Sequence, residues 1–263
     1  MNKNKRNRIK PEFSFIPKII FIVPYRDREE HLTIFKSNMK ETMEDYNEND
    51  YKILYIHQCD KRNFNRGAMK NIGFLFIKQI YSNDYKNITI VFNDVDTMPT
   101  KKGLIDYETT HNNIKHFYGY NYTLGGIVSI KGDDFEKING FPNLWSWGYE
   151  DNALQRRARD NNMTIDRSQF YRIYDKNIIH LNDSKIRTIN KGEYKKYINK
   201  INDGIKEITN LKYEYDSKEK FVNVFNFDVP YLPNTDLDTA YNLDDGNKPF
   251  GSRPQSRMQM FIT

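Results

Sequence analysis

One cysteine in 263 residues leaves no partner for an intrachain disulfide. Large secreted domains are often braced by such bridges, so a reducing compartment is the simpler expectation. Cys59 itself reads as a small buried apolar residue and not as a nucleophile. Long apolar runs are missing too. The longest, Ile19-Ile20-Phe21-Ile22-Val23, is strand-sized. It falls far short of the roughly 18–20 residues that a membrane span needs. Met1 to Lys10 is basic and polar, without the apolar stretch of a secretory signal. No sign of charge dominates: the net charge is +6, and both signs are spread along the chain. That balance permits nucleic acid, and it equally suits an anionic diphosphate ligand. Tryptophan is scarce, with two residues, and both fall in one short stretch. No internal repeat is visible.

What is present alternates between two periods. Ile19 to Val23 reads as a buried strand ended by Pro24. Arg28 to Met43 has helical spacing, with Leu32, Phe35 and Met39 on one face. Tyr51 to His57 reads as a strand, Arg66 to Tyr81 as a helix, and Asn87 to Phe92 as a third strand. Strands alternating with helices predict an α/β fold with a mixed, mainly parallel central sheet flanked by helices. Ligands in such sheets bind beyond the C-terminal strand ends. That places Pro24 to Arg28, Gln58 to Arg66 and Asp94 to Asp96 on one rim. Further on, Gly125 to Ile130 reads as a strand, Asp133 to Ile138 as a short helix and Tyr149 to Asn161 as a helix. Lys185 to Leu211 is polar and helical in part, and Phe221 to Val229 alternates like a final strand. The expected organisation is a disordered basic arm over 1–14, one domain over 15–230, and a tail or appendage over 231–263.

Two acidic clusters carry the chemistry. Asp94 and Asp96 follow an apolar strand at i and i+2, where extended backbone points both carboxylates one way. A hard divalent ion relieves their repulsion. The plainer alternative is a solvated turn before Pro99. Glu150 and Asp151 open a helix, where carboxylates also stabilise the helix end by about 0.3–1 kcal/mol. Capping does not explain Trp145 and Trp147 just upstream, which fit a loop carrying an aromatic wall. His180 stands at a strand end, where a further metal ligand could sit. Arg26, Arg28, Arg62 and Arg66 lie at the same rim and suit phosphate, with Phe64 among them to stack on a base. Aromatic surface beside paired carboxylates points to an enzyme of nucleotide sugars.

The order of these motifs resembles the β-1,4-galactosyltransferase family. They run Val23-Pro24-Tyr25-Arg26-Asp27-Arg28, Phe64-Asn65-Arg66-Gly67, Asp94-Val95-Asp96, Leu124-Gly125-Gly126 and Trp145-Ser146-Trp147-Gly148-Tyr149-Glu150-Asp151. The resemblance spans about Phe15 to Val229 and implies a GT-A type fold with inverting transfer from a UDP-sugar, usually with Mn²⁺. It implies that Pro24, Arg26 and Arg28 hold the phosphates and ribose, and Phe64 and Arg66 the uracil end. Asp96 and His180 would ligate the metal, with Asp94 beside them. Trp147 would close over the donor, Gly126 and Thr123 would line the sugar, Asp151 would be the base, and Glu150 would orient the acceptor. Departures are visible. Asn152 follows the Glu-Asp pair where relatives often carry Asp. Asn182 and Asn177 stand where some relatives carry a second histidine and a methionine. Thr123 stands where galactose-using members carry Tyr, which leaves room for an N-acetyl group. The donor is therefore expected to be UDP-galactose or UDP-N-acetylgalactosamine. The acceptor stays open among glycan, glycoprotein and small molecule. No nucleic acid and no membrane span are expected, and a viral or microbial enzyme acting in the cytoplasm is the implied setting. The rival readings are a non-catalytic sugar-binding relative and a basic nucleic-acid-binding protein.

Overall fold

The computed structural model describes residues 15–182, 184–232, 234–245 and 250. The arm expected over 1–14 lies outside the described residues, as does most of 246–263. In chain order the first elements are β1 (Ile19–Tyr25), α1 (Glu29–Thr42), β2 (Tyr51–Gln58), α2 (Arg66–Ile80), β3 (Thr89–Asn93) and β4 (Thr97–Pro99). Next come β5 (Asn113–Gly119), β6 (Ile127–Lys131), α3 (Gly132–Lys137), α4 (Glu150–Asp160), β7 (Thr164–Asp166) and β8 (Tyr171–Arg172). The last are β9 (Ile178–His180), β10 (Ile186–Asn190), α5 (Lys191–Ile198), β11 (Thr209–Asp216), β12 (Phe221–Asp228) and β13 (Asp238–Asn242).

β1 runs parallel to both β2 and β3 and lies between them. Every residue of β1 is buried, as its unbroken apolar run requires. Its side chains alternate between two cores. Ile20 and Ile22 join α2, while Ile19, Phe21 and Val23 join Leu32, Phe35 and Met39 of α1. The strand continues two residues past the expected stop, with Pro24 in register with Ile56. Its pairing with β3 ends at Ile22, so one side of β1 carries no ladder there and a residue without an N–H is tolerated.

Outward from β2 the sheet adds β12 in parallel and β11 antiparallel at the edge. Outward from β3 it adds β6 and β5, both antiparallel, with β7 and β8 parallel to β5. The expected mixed, mainly parallel sheet is present. Two small ribbons lie off it, β4 with β9 and β10 with β13. Neither ribbon was expected. Phe221 to Val229 is not the final strand, because β13 follows it and pairs with β10. β13 lacks apolar alternation and pairs only with that one strand, so periodicity gave no sign of it.

Candidate active site

The C-terminal ends of β1, β2 and β3 open on a cavity of about 550 Å³. Pro24, Arg26 and Arg28 line it from the end of β1, and Phe64 and Arg66 from the start of α2. The loop before α2 is fixed by amides. The Gln58 side chain donates to the Asn63 carbonyl at 3.0 Å and accepts from the Asn65 N–H at 2.8 Å. Asn65 then caps α2 through the Ala68 N–H at 2.9 Å. Arg26 donates to the Arg62 carbonyl at 2.6 Å, and its guanidinium lies 5.4 Å from the Phe64 ring centre. Arg62, grouped with the rim arginines, is committed elsewhere. It donates to Asp60 at 2.8 Å and to the Phe227 carbonyl at 2.9 Å, and lies 4.6 Å over Trp145.

Asp94 and Asp96 occupy the turn between β3 and β4 and not extended backbone, which corrects the i, i+2 argument. The Thr97 N–H closes the turn on the Asp94 carbonyl at 3.2 Å. Both residues line the cavity all the same. Asp94 faces Arg66 at 3.5 Å and Lys70 at 4.0 Å. Burial, and then the like charge of Asp94, push the Asp96 carboxyl above its ordinary range. His180 arrives beside Asp96 because β9 pairs with β4: Thr97 and His180 are register partners, and the Leu181 N–H donates to the Asp96 carbonyl at 2.8 Å.

α4 starts at Glu150, yet capping does not account for its two carboxylates. Glu150 is 4% exposed and accepts from Arg66 Nε at 2.9 Å and from a terminal Arg66 nitrogen at 2.6 Å. Burial works against the Arg66 charge, but Glu150 first, then Asp94 and Asp151, more than offset it. Asp151 Oδ1 accepts from Lys70 Nζ at 3.1 Å. Its Oδ2 lies against Gly125, where a Cβ would come within 2.3 Å. Only glycine fits there. Burial pushes the Asp151 carboxyl up to about 6, with Lys70 pulling it down and Glu150 pushing it further up.

The aromatic stretch divides. Trp145 is buried, stacked on Phe227 at 5.3 Å, and donates from Nε1 to the Tyr231 carbonyl at 2.9 Å. Trp147 lines the cavity and stacks with Tyr241 of β13 at 6.5 Å. Glu193 of α5 holds the stretch by accepting from the Trp145 N–H at 2.8 Å and the Ser146 N–H at 2.7 Å. Thr123 and Gly126 do not line the cavity. Thr123 is buried, with its hydroxyl donating to the Tyr120 carbonyl at 3.3 Å. Gly126 has φ +74°, and a Cβ there would meet the Tyr118 carbonyl at 2.3 Å. Its backbone carbonyl instead accepts the Asp94 N–H at 3.2 Å.

Sequence reasoning missed Lys70, Tyr118, Glu193 and the pair His116–Arg167. Arg167 donates to His116 Nδ1 at 3.0 Å and to the Thr123 carbonyl at 3.2 Å, bracing the 120–126 segment. A signal for Lys70 existed: it stands in the first half of α2, where Gly67 to Phe74 are buried on every side, whereas Lys78 near the helix end stays half-exposed.

A divalent metal can be tested against these residues. Asp96 and His180 offer one oxygen and one nitrogen, a donor set that suits Mn²⁺. Tyr118 Oη lies 2.7 Å from His180 Nδ1. With Nδ1–H donating to that oxygen, Nε2 is left for a metal. Asp94 Oδ1 and Glu150 Oε2 are buried without a hydrogen-bond partner. Among the described residues no three His, Cys, Asp or Glu side chains form a complete protein shell. Asn177 bonds to Asp175, and the Asn182 carbonyl lies 3.1 Å from His31 Nε2. Asp96 and His180 would hold a divalent ion at an open site, where it would supply charge to a bound diphosphate.

The sheet order, the β4–β9 ribbon and the acidic rim define a GT-A type fold. Residues 5–107 match the family profile described as the N-terminal region of glycosyl transferase group 7, and residues 107–181 match the one described as the N-terminal domain of galactosyltransferase. The chain belongs to the β-1,4-galactosyltransferase family. It is 30% identical over 163 residues to β-1,4-galactosyltransferase 7 of Drosophila melanogaster, covering 59% of this chain and 48% of that protein. It is 29% identical over 175 residues to human β-1,4-galactosyltransferase 4, covering 63% and 49%. The chain thus spans about half the length of the curated relatives it matches. A solved structure of a mutant of Drosophila β-1,4-galactosyltransferase 7 in complex with manganese, UDP-Gal and xylobiose shares the fold, with TM-score 0.59 and 21% identity over 82% of this chain and 95% of that one. Among the described residues no helix is long and apolar enough to cross a membrane.

Proposed function

We propose that this protein is a metal-dependent, inverting glycosyltransferase that moves galactose or N-acetylgalactosamine from a UDP-sugar to an acceptor hydroxyl. The observation that carries the reading is Asp151: a mostly buried carboxylate raised to about 6, beside an arginine-lined cavity with Asp94 and Asp96 on its wall. Pro24, Arg26 and Arg28 take the diphosphate and ribose, and Phe64 stacks on the uracil. Arg66 reaches the same end while its ion pair holds Glu150, which orients the acceptor. Trp147 covers the donor. Asp96 and His180 hold Mn²⁺, which when bound neutralises charge on the leaving diphosphate.

Asp151 takes the proton of the acceptor hydroxyl as that oxygen attacks the anomeric carbon. The bond from that carbon to the UDP oxygen breaks on the opposite face, so configuration inverts. A base poised near neutral pH suits this step. The related Drosophila enzyme was solved with UDP-Gal and xylobiose, which favours a glycan hydroxyl as acceptor. The same reading takes 15–230 as the transferase domain and 231–263 as a tail or appendage. The single cysteine accords with a cytoplasmic site of action.

The test is direct. The protein is expected to bind UDP with Mn²⁺ and to transfer or hydrolyse one of the two UDP-sugars. Asp151→Asn keeps UDP binding and loses roughly 10²–10⁴-fold in kcat. Absence of UDP binding, or wild-type turnover in that variant, overturns the reading. Thr123 gives no guide to the donor sugar, because its hydroxyl turns to the Tyr120 carbonyl and it does not line the cavity. Relative rates with the two UDP-sugars decide between them, and Thr123→Tyr is expected to leave their ratio unchanged.

A further inference from the structure

Lys70 is the only buried lysine among the described residues, at 1% exposure. It sits on α2 between Met69 and Asn71, both fully buried, and its Nζ lies 4.5 Å over the Phe141 ring. An ammonium stripped of water in this way is stable only beside a close anion. Its anions are Asp151 at 3.1 Å and Asp94 at 4.0 Å. The neighbouring cation is already engaged, since Arg66 makes two bonds to Glu150. The cluster therefore holds three carboxylates, Asp94, Glu150 and Asp151, against two cations. Lys70 is the cation that meets Asp151. With Oδ1 bonded to Lys70 and Oδ2 against Gly125, both carboxylate oxygens have fixed places.

We propose that Lys70 is a positioning residue for sugar transfer, its ammonium fixing the Asp151 carboxylate in place and in its charged form and linking it to Asp94 at the donor cavity. The proposal rests on the reading of Asp151 as the base. The groups facing Asp151 are Lys70 and Arg66 from α2, Glu150 from its own helix and Asp94 from the β3–β4 turn. Removing Lys70 leaves two like charges and one distant cation around a buried acid. Protonation of Asp151 then becomes easier, and the base is lost at a higher pH.

Lys70→Met removes the charge and keeps most of the volume. Its kcat and donor KM are measured over roughly pH 5–9, with UDP binding alongside. The acid limb of kcat is expected to move up by about one pH unit, so that kcat falls roughly twofold at neutral pH, approaches a roughly tenfold loss near pH 5, and recovers at high pH. Donor KM stays within about twofold, because the lost interaction is not with the donor. Loss by one factor at every pH, or no loss, overturns the proposal. Thermal unfolding of Lys70→Met, Asp151→Asn and the double variant gives a second reading without turnover. The double variant is expected to lose less than the two single losses added together, since each single change leaves a buried group without its partner. Transfer by the wild type with additive melting losses sinks this proposal alone. A wild type that transfers nothing sinks the enzymatic reading, and this proposal with it.

Discussion

Asp151 shows what a single side chain can reveal and conceal. Its type and its place at a helix start were legible, because an acidic pair follows two tryptophans and a glycine. Its electrostatics were not, because they come from α2, some eighty positions earlier in the chain. The raised carboxyl predicts how activity depends on pH. The ionised form is the base, so kcat/KM for the acceptor should fall as pH drops through about 6. An ordinary carboxylate would keep its activity down to about pH 4. A pH profile of the wild type, read against a donor-binding control, separates the two. The Asp94–Asp96 pair teaches the opposite lesson. Its residues were identified on a wrong local geometry, because a turn and an extended segment can present the same two side chains to one cavity. Thr123 shows a third case, where a motif position was matched but its side chain points into its own turn.

Among elements, the central strands and helices were readable because burial there is periodic. β1, α1, β2, α2 and β3 appear within a residue or two of expectation. The later segments were harder. β4 and β9 are three residues each, too short for a period, and exist because they pair with one another. The tryptophan stretch depends on a partner that no local pattern announces, the buried Glu193 of α5. Glu193→Ala leaves two backbone N–H groups without an acceptor, at about 1–3 kcal/mol for a buried unsatisfied group. The variant is expected to melt earlier and to show a raised donor KM, since Trp147 follows Ser146 directly. Wild-type KM together with wild-type melting would show that the stretch holds without this anchor.

The whole molecule couples its fold to pH through a group away from the chemistry. His116 is fully buried, and burial with the nearby Arg167 charge pushes it down to about 4. The folded state therefore prefers the neutral ring. The stability this contributes is complete above the ordinary histidine value near 6.5 and is lost as pH falls from there towards 4. The full effect is on the order of 3 kcal/mol. Asp151 acts in the reverse sense between about 6 and its ordinary value, because its folded form keeps a proton more readily. The comparison that isolates His116 is denaturation of the wild type and His116→Gln at neutral and acid pH. The variant should lose less stability on acidification, and parallel losses in the two proteins would remove His116 from the account. The β10–β13 ribbon has a consequence of a different kind. Ile186, Arg187 and Thr188 of β10 line the cavity, and their strand partner lies in β13. β2 likewise waits for β12 to cover its free edge. As the chain is synthesised, α1, α2 and the first three strands can assemble while both partners are still to come. The cavity wall is completed last, and a nascent chain stalled before residue 238 would carry the acidic rim without its wall.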